Sequence, residues 1–200
     1  SDSQNSDSGS FTLTVTSVND APVISTIPDQ TINEDESITI DLFASDVDAE
    51  DVLTFSATAD SGTASVDGST LTVTPADDYN GSIVVEVSVT DGSESVSTSF
   101  TLTVNPINDA PVLDDLADGV TDEDTAFTVD LSASDVDGDA LSYFAQVDGN
   151  GSASVDGSTL TVTPALDFNG DILVSVTVSD SQTSDSGSFT LAIISVNDVP

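Results

Sequence analysis

The chain contains no lysine, no arginine and no histidine, against 37 aspartates and glutamates, so its formal charge is −37. No salt bridge can form within it. It must tolerate its own repulsion or recruit cations from solution. Nucleic acid and anionic membrane surfaces are held through Lys and Arg, so neither is expected as a partner. Cysteine is also absent, which excludes a disulfide-stapled scaffold and, with histidine missing, makes zinc or copper sites unexpected. No apolar run is long enough to insert into a membrane. Only carboxylates remain for acid–base or nucleophilic work. Paired carboxylates serve glycosidases, but a small sandwich without tryptophan offers no walled cleft, so no enzyme activity is expected.

What is present argues for a folded chain. Hydrophobic residues make up 37% of the sequence, and Val, Ile, Leu and Thr alternate, unlike the composition of disordered acidic tails. The joint Asn108-Asp109-Ala110-Pro111 recurs as Asn19-Asp20-Ala21-Pro22 and as Asn197-Asp198-Val199-Pro200. The differences are 108 − 19 = 89 and 197 − 108 = 89, so one period covers both intervals. A fixed long period means repeated units. Residues 1–20 read as the last strand of a preceding repeat plus its joint, 21–109 and 110–198 as full repeats, and 199–200 as the start of another.

Within each repeat, strand signals recur about every ten residues, the pattern of an all-β sandwich. The expected fold is two tandem seven-stranded Greek-key β-sandwiches, cadherin- or immunoglobulin-like, preceded by an orphan terminal strand. In repeat one the first strand is expected at 22–27 and a turn at 32–36. Asp67-Gly68 is a hairpin signal. One segment breaks the period. A gap-free alignment sets Phe55 on Phe144, but alternation sets it on Tyr143, with one residue lost after Asp137 and one regained near Gly149-Asn150. Side-chain parity fixes the buried face, so the shifted register is preferred. Tyr79 and Phe168 read as core plugs, and Asp2, Asp7, Asp29 and Asp185 as solvated surface. Asp41 and Asp130 face outward with no evident partner.

Alternating strands send the loops to two ends of each repeat. At the end of repeat one lie Glu34, Asp35, Glu36, Asp77 and Asp78. Asn108 and Asp109 follow in the joint, and Asp135, Asp137, Asp139 and Asp180 lie at the start of repeat two. The same positions elsewhere are Asn19, Asp20, Asp46, Asp48 and Asp91 at the start of repeat one, and Glu123, Asp124, Asp167, Asn197 and Asp198 at the end of repeat two. These are hard oxygen donors gathered from several loops, which suits Ca²⁺ with its six to eight oxygens and tolerant geometry. The run 135–139 resembles the start of an EF-hand loop, but Gln146 stands where its Glu is required, and no helices flank it.

The Asn-Asp-Ala-Pro joints, the acidic turns Glu34-Asp35 and Glu123-Asp124, and the Asp-x-Asp loops occur in a fixed order. So do the segments 75–81 and 164–170 and the turn Asp91-Gly92. This plan resembles the bacterial cadherin-like tandem repeats of large calcium-dependent surface proteins and adhesins. The resemblance implies calcium between successive repeats. The joint at 108–111, with Glu34, Asp35, Asp78, Asn108, Asp109, Asp135, Asp137 and Asp180, would then be the complete site, and the other positions half-sites. It implies a structural spacer at the bacterial cell surface or outside the cell, whose partners are neighbouring repeats of the same chain. Two departures stand out. Asp180-Ser181 replaces Asp91-Gly92 and is expected to open a longer polar turn, and Thr125 stands where Glu36 does. Two other classes stay open: a fibre subunit joined to further copies by strand donation, and a glycan-binding module.

Overall fold

The computed structural model describes residues 8–16 and 18–197. It divides into two units, Ser1–Pro106 and Ile107–Pro200, and no helix occurs among the described residues. The first unit has β1 (Val23–Ile24), β2 (Gln30–Asn33), β3 (Ile38–Asp41), β4 (Ala44–Ser45), β5 (Thr54–Ala59), β6 (Thr63–Asp67), β7 (Thr70–Thr74), β8 (Gly81–Thr90) and β9 (Ser95–Asn105). One sheet has the order β2-β9-β8-β5, the other β3-β7-β6, and β1 forms a short ladder with β4. The second unit repeats this with β10 (Val112–Leu113), β11 (Gly119–Asp122), β12 (Phe127–Asp130), β13 (Ala133–Ser134), β14 (Ser142–Val147), β15 (Gly151–Asp156), β16 (Thr159–Pro164), β17 (Gly170–Ser179) and β18 (Ser184–Ile194). Its sheets run β11-β18-β17-β14 and β12-β16-β15, with the pair β10-β13.

Alternation builds each core. Along β8, Ile83, Val85, Val87 and Val89 are buried, while Val84 between them is half exposed. Ile83, Val85 and Val87 meet Phe100, Leu102 and Val104 of β9 and Leu71 and Val73 of β7. The second unit packs Ile172, Val174 and Val176 against Phe189, Leu191, Leu160 and Val162. Fully burying one such side chain is worth roughly 1.5–3 kcal/mol. Tyr79 and Phe168 pack against these cores as expected. Tyr79 also donates its hydroxyl to the Ser82 carbonyl at 3.0 Å.

The first strand departs from expectation. It breaks after Ile24, crosses between the sheets, and resumes as β2, which pairs parallel with β9 from Gln30↔Leu102 to Asn33↔Asn105. Pro28 in the crossing has no N–H to give a ladder. Residues expected at the start of a turn are therefore strand, and the turn itself narrows to Glu34-Asp35. The hairpin after β6 is also displaced by one residue. Asp67 pairs with Thr70, so Gly68 and Ser69 form the turn, with Gly68 at φ +61° as the first position of a type II′ turn requires.

The shifted register holds. Phe55 pairs with Val89, and Tyr143 with Val178, 89 residues on. Tyr143 packs on the core, and Phe144 is 63% exposed. The regained residue falls in the connection that crosses from β14 to β15 in the other sheet, where Asn150 takes φ +57°. Ahead of β1, residues 8–16 pair with no strand, and Phe11, Leu13 and Val15 are exposed. Their counterparts at +178, Phe189, Leu191 and Ile193, are buried in β18.

Candidate functional site

Each unit gathers oxygen donors at its entry end. In the first, the Asp20 amide donates to Asp48 Oδ2 at 2.9 Å, and Asn19 Nδ2 donates to Asp91 Oδ2 at 3.0 Å. In the second, the Asp109 amide donates to Asp137 Oδ2 at 2.8 Å, and Asn108 Nδ2 to Asp180 Oδ2 at 2.8 Å. These bonds tie the joint, the loop after β4 or β13 and the β8–β9 or β17–β18 turn into one surface. Asp46, Asp51 and Asp91 each bring a carboxylate oxygen within 4.8 Å of the others, and so do Asp135, Asp137 and Asp139. Asp51 is outside the set expected from sequence. The +89 comparison hides it because the lost residue falls in that loop.

Within these clusters the carboxylates are not equivalent. Asp46 Oδ1 accepts the Asp48 amide at 2.8 Å, and Asp135 Oδ1 the Asp139 amide at 3.2 Å. Their Oδ2 atoms are buried and have no hydrogen-bond partner. A buried carboxylate oxygen left unpaired is costly, so this donor arrangement fits an oxygen-seeking cation. Asp51 has its pKa raised, by loss of solvent and then by the charges of Asp48, Asp46 and Asp91. Asp91 is held low, first by the Glu94 amide and then by the Asn19 side chain. Asp180 is held lower still, by the Thr183 amide, the Asn108 side chain, the Thr183 hydroxyl and the Gln182 amide.

The expected longer turn at Asp180 does not occur. Ser179 pairs with Ser184 as Thr90 pairs with Ser95, so both turns hold four residues. Ser181 takes φ +89° where Gly92 takes +99°. Asp180 Oδ1 accepts the Gln182 and Thr183 amides, each at 2.6 Å, and thereby holds a conformation unusual for a residue with a Cβ. Gln182 Nε2 also donates to Asn108 Oδ1.

The exit ends are built on aspartates in the left-handed region, which Asp tolerates better than most residues. Asp35 and Asp78 have φ +62° and +55°, and Asp124 and Asp167 have +59° and +55°. The Asp78 amide donates to Asp35 Oδ1 at 3.4 Å, and the Asp167 amide to Asp124 Oδ1 at 3.0 Å. Beside them Glu34 and Glu123 are buried. The Glu34 amide donates to the Asn105 carbonyl at 2.9 Å. Glu123 Oε1 accepts the Val196 amide at 2.7 Å. The Asn33 amide reaches Glu36 Oε2 at 3.3 Å, and Asp77 is exposed. Asn197 is exposed, and Asp198 lies outside the described residues.

Several acids expected to be mere surface are backbone acceptors. Asp29 Oδ1 accepts the Thr101 amide at 2.8 Å, and Asp118 Oδ1 the Thr190 amide at 2.7 Å. Each supplies the rung just before the parallel ladder begins. Asp185 Oδ2 accepts the Leu113 amide at 2.9 Å, which lowers its pKa, and Asp130 Oδ1 accepts the Thr159 hydroxyl at 2.8 Å. With no cationic side chain available, backbone N–H groups supply the charge-assisted bonds. Asp2 and Asp7 lie outside the described residues.

A family profile described as Bacterial Ig domain matches residues 19–105 and again 108–192. The chain belongs to this bacterial Ig domain family. Chitinase A of Pseudoalteromonas piscicida is 34% identical over 130 residues, covering 62% of this chain and 16% of the chitinase. The chain therefore spans about a sixth of that relative's length. Among solved structures, human protocadherin-24 EC1-2 aligns over 90% of this chain and 100% of its own, at 17% identity and TM-score 0.55. Drosophila N-cadherin EC1-4 aligns over 90% of this chain and 50% of its own, at 15% identity and TM-score 0.54. These likenesses place the bacterial Ig domains in the cadherin-like sandwich fold, as the motif order implies.

Proposed function

We propose that the two bacterial Ig domains are non-catalytic, calcium-rigidified spacer repeats of a bacterial adhesin-type surface or secreted protein. The observation that carries this reading is the pair of buried, unpartnered oxygens, Asp46 Oδ2 and Asp135 Oδ2, at equivalent positions of the two units. A calcium ion there would take oxygens from Asp46, Asp51 and Asp91, or from Asp135, Asp137 and Asp139, with the joint residues Asn19-Asp20 or Asn108-Asp109. The resemblance to cadherin-like repeats would add Glu34, Asp35 and Asp78 of the preceding repeat at the 108–111 joint, the complete site that it implies. The calcium would add a cross-link between loops already joined by hydrogen bonds, and would neutralise charge in a chain that has no cationic side chain. Extracellular calcium modules bind at about 10⁻⁴–10⁻³ M. At ten times that Kd, one ion adds ~1.4 kcal/mol. Calorimetric titration of the chelator-stripped chain should show binding in this range, and Asp135→Asn should weaken it. Equal melting curves in calcium and in EGTA would sink the reading.

A second placement draws on the 34% identity to Chitinase A: the same spacer within a secreted polysaccharide-degrading enzyme. A chitin pull-down separates a spacer from a glycan-binding module. Retention of the isolated chain on chitin would make the units a glycan-binding module rather than a spacer.

A further inference from the structure

The composition removes most covalent chemistry open to an exposed protein. The chain has no Cys, Met or Trp to oxidise, and no Lys or His to be acylated or cross-linked. Three Asn-Gly pairs remain, Asn80-Gly81, Asn150-Gly151 and Asn169-Gly170. In such a pair the glycine nitrogen can attack the asparagine side chain, because no Cβ shields it. We propose that Asn150-Gly151 is the self-modification site of the folded chain, and that the fold protects the other two pairs.

Backbone direction makes the distinction. The Asp60 amide donates to the Val84 carbonyl, and Val84 N to Asp60 Oδ1, so the polar groups of Val84 face β5. Antiparallel ladders alternate, so Gly81 faces β9 and its amide lies in the hydrogen-bonded pair opposite Val104. The same bonds between Asp148 and Leu173 turn Gly170 toward Ile193. Both amides are locked inside a four-stranded sheet. Gly151 is placed otherwise. The Ala165 amide donates to the Asn150 carbonyl at 2.7 Å, which makes Asn150 and Ala165 the hydrogen-bonded pair. Gly151, opposite Pro164, falls in the alternate pair. Its N–H points away from β16, off the open edge of the sheet β12-β16-β15. Asn150 itself is exposed at φ +57°. The glycine cannot be exchanged, since a Cβ at Gly151 would lie 2.7 Å from the Thr163 carbonyl oxygen. The residue before it differs between the units: the first has Ser61 before Gly62, without the left-handed φ that Asn150 takes.

The step is a ring closure. Gly151 N bonds to Asn150 Cγ, the Cγ–Nδ2 bond breaks, and ammonia leaves with the amide proton. Water then opens the succinimide at either carbonyl, giving aspartate or isoaspartate at 150. Either product adds one negative charge, and isoaspartate lengthens the backbone where Asn150 holds Ala165.

The test is incubation of the folded chain at mildly alkaline pH, then digestion at acidic residues and mass spectrometry that separates aspartate from isoaspartate. Asn150 should convert about tenfold faster than Asn80 or Asn169, since their glycines must first break a ladder hydrogen bond. In urea the three should converge. Asn150→Gly, which accepts the left-handed φ of +57°, should remove the folded-state product and leave the melting curve nearly unchanged. Equal rates in the folded chain, faster loss at Asn80 or Asn169, or the same ratio in urea would overturn the proposal.

Discussion

Asn108 donates its side-chain amide to Asp180 Oδ2 at 2.8 Å, and Asn19 makes the same bond to Asp91 Oδ2 at 3.0 Å; in both units the partners are 72 residues apart. Each bond pins the entry joint to the last turn of its unit. The acid in each pair is engaged by the fold before any cation arrives.

The stability contribution of Asp180 should therefore depend on pH in a defined direction. Its pKa is lowered from the ordinary 3.8, so its contribution is present above that value and lost as pH falls through the lower folded value. In chelator, Asp180→Asn should lower the urea midpoint at neutral pH, and the gap to the parent should close in strong acid. A gap that stays constant across this range would mean that the carboxylate charge is not what holds the turn.

Register can be tested with neighbouring aromatics. Tyr143 packs on the core and Phe144 is 63% exposed. Tyr143→Ser should cost about 2–3 kcal/mol, less than the ~3–5 kcal/mol for a fully buried aromatic because Tyr143 is only partly buried, and Phe144→Ser should be close to neutral. Urea melts followed by circular dichroism read both, and a reversed order would restore the gap-free register.

Two glycines have different reasons to be glycine. A Cβ at Gly62 would sit 2.2 Å from the Thr74 carbonyl oxygen, whereas Gly68 has nothing within 4 Å. Gly62→Ala should cost roughly 3 kcal/mol or more, because backbone must move. Gly68→Ala should cost only about 1 kcal/mol, for its φ of +61°. Similar melting points for the two variants would contradict the close approach.

Glu123 allows fold and cation roles to be separated. Its Oε1 accepts the Val196 amide. Glu123→Ala should lose about 1 kcal/mol, as a part-buried amide loses its acceptor. Glu123→Gln keeps an acceptor oxygen and should hold stability in EGTA. If Glu123 is also a calcium ligand, only the stabilisation by added calcium should fall in the Gln variant.

Much of the architecture was legible in sequence because two strong signals coincide. The 89-residue period places the joints, and two-residue alternation places strands such as β8, whose Ile83, Val85, Val87 and Val89 are all buried. The split first strand was not legible. Gln30-Thr31-Ile32-Asn33 sits at a sheet edge with only partial burial, so it lacks the alternation that marks a central strand. The acidic ends were visible as sets, because their members recur at loops of fixed spacing. The division of labour within a set was not. Whether a carboxylate accepts a backbone amide, as Asp29 and Asp180 do, depends on a rung or turn that residue type alone does not reveal. The pairs Asp29/Asp118 and Asp91/Asp180, each 89 residues apart, are a signal that could have separated such acids from plain surface.

The parallel pairing of β2 with β9 has a mechanical consequence. Four successive rungs, Gln30↔Leu102 to Asn33↔Asn105, join the first part of the unit to its last strand, and the two strands run in the same direction. Tension applied through the ends of a unit loads these rungs in shear, so they must yield together rather than open one after another. Under a pulling probe the unit should resist until a single abrupt rupture. Asp29, which adds a side-chain rung at Thr101, extends that clamp, and Asp29→Ala should lower the rupture force.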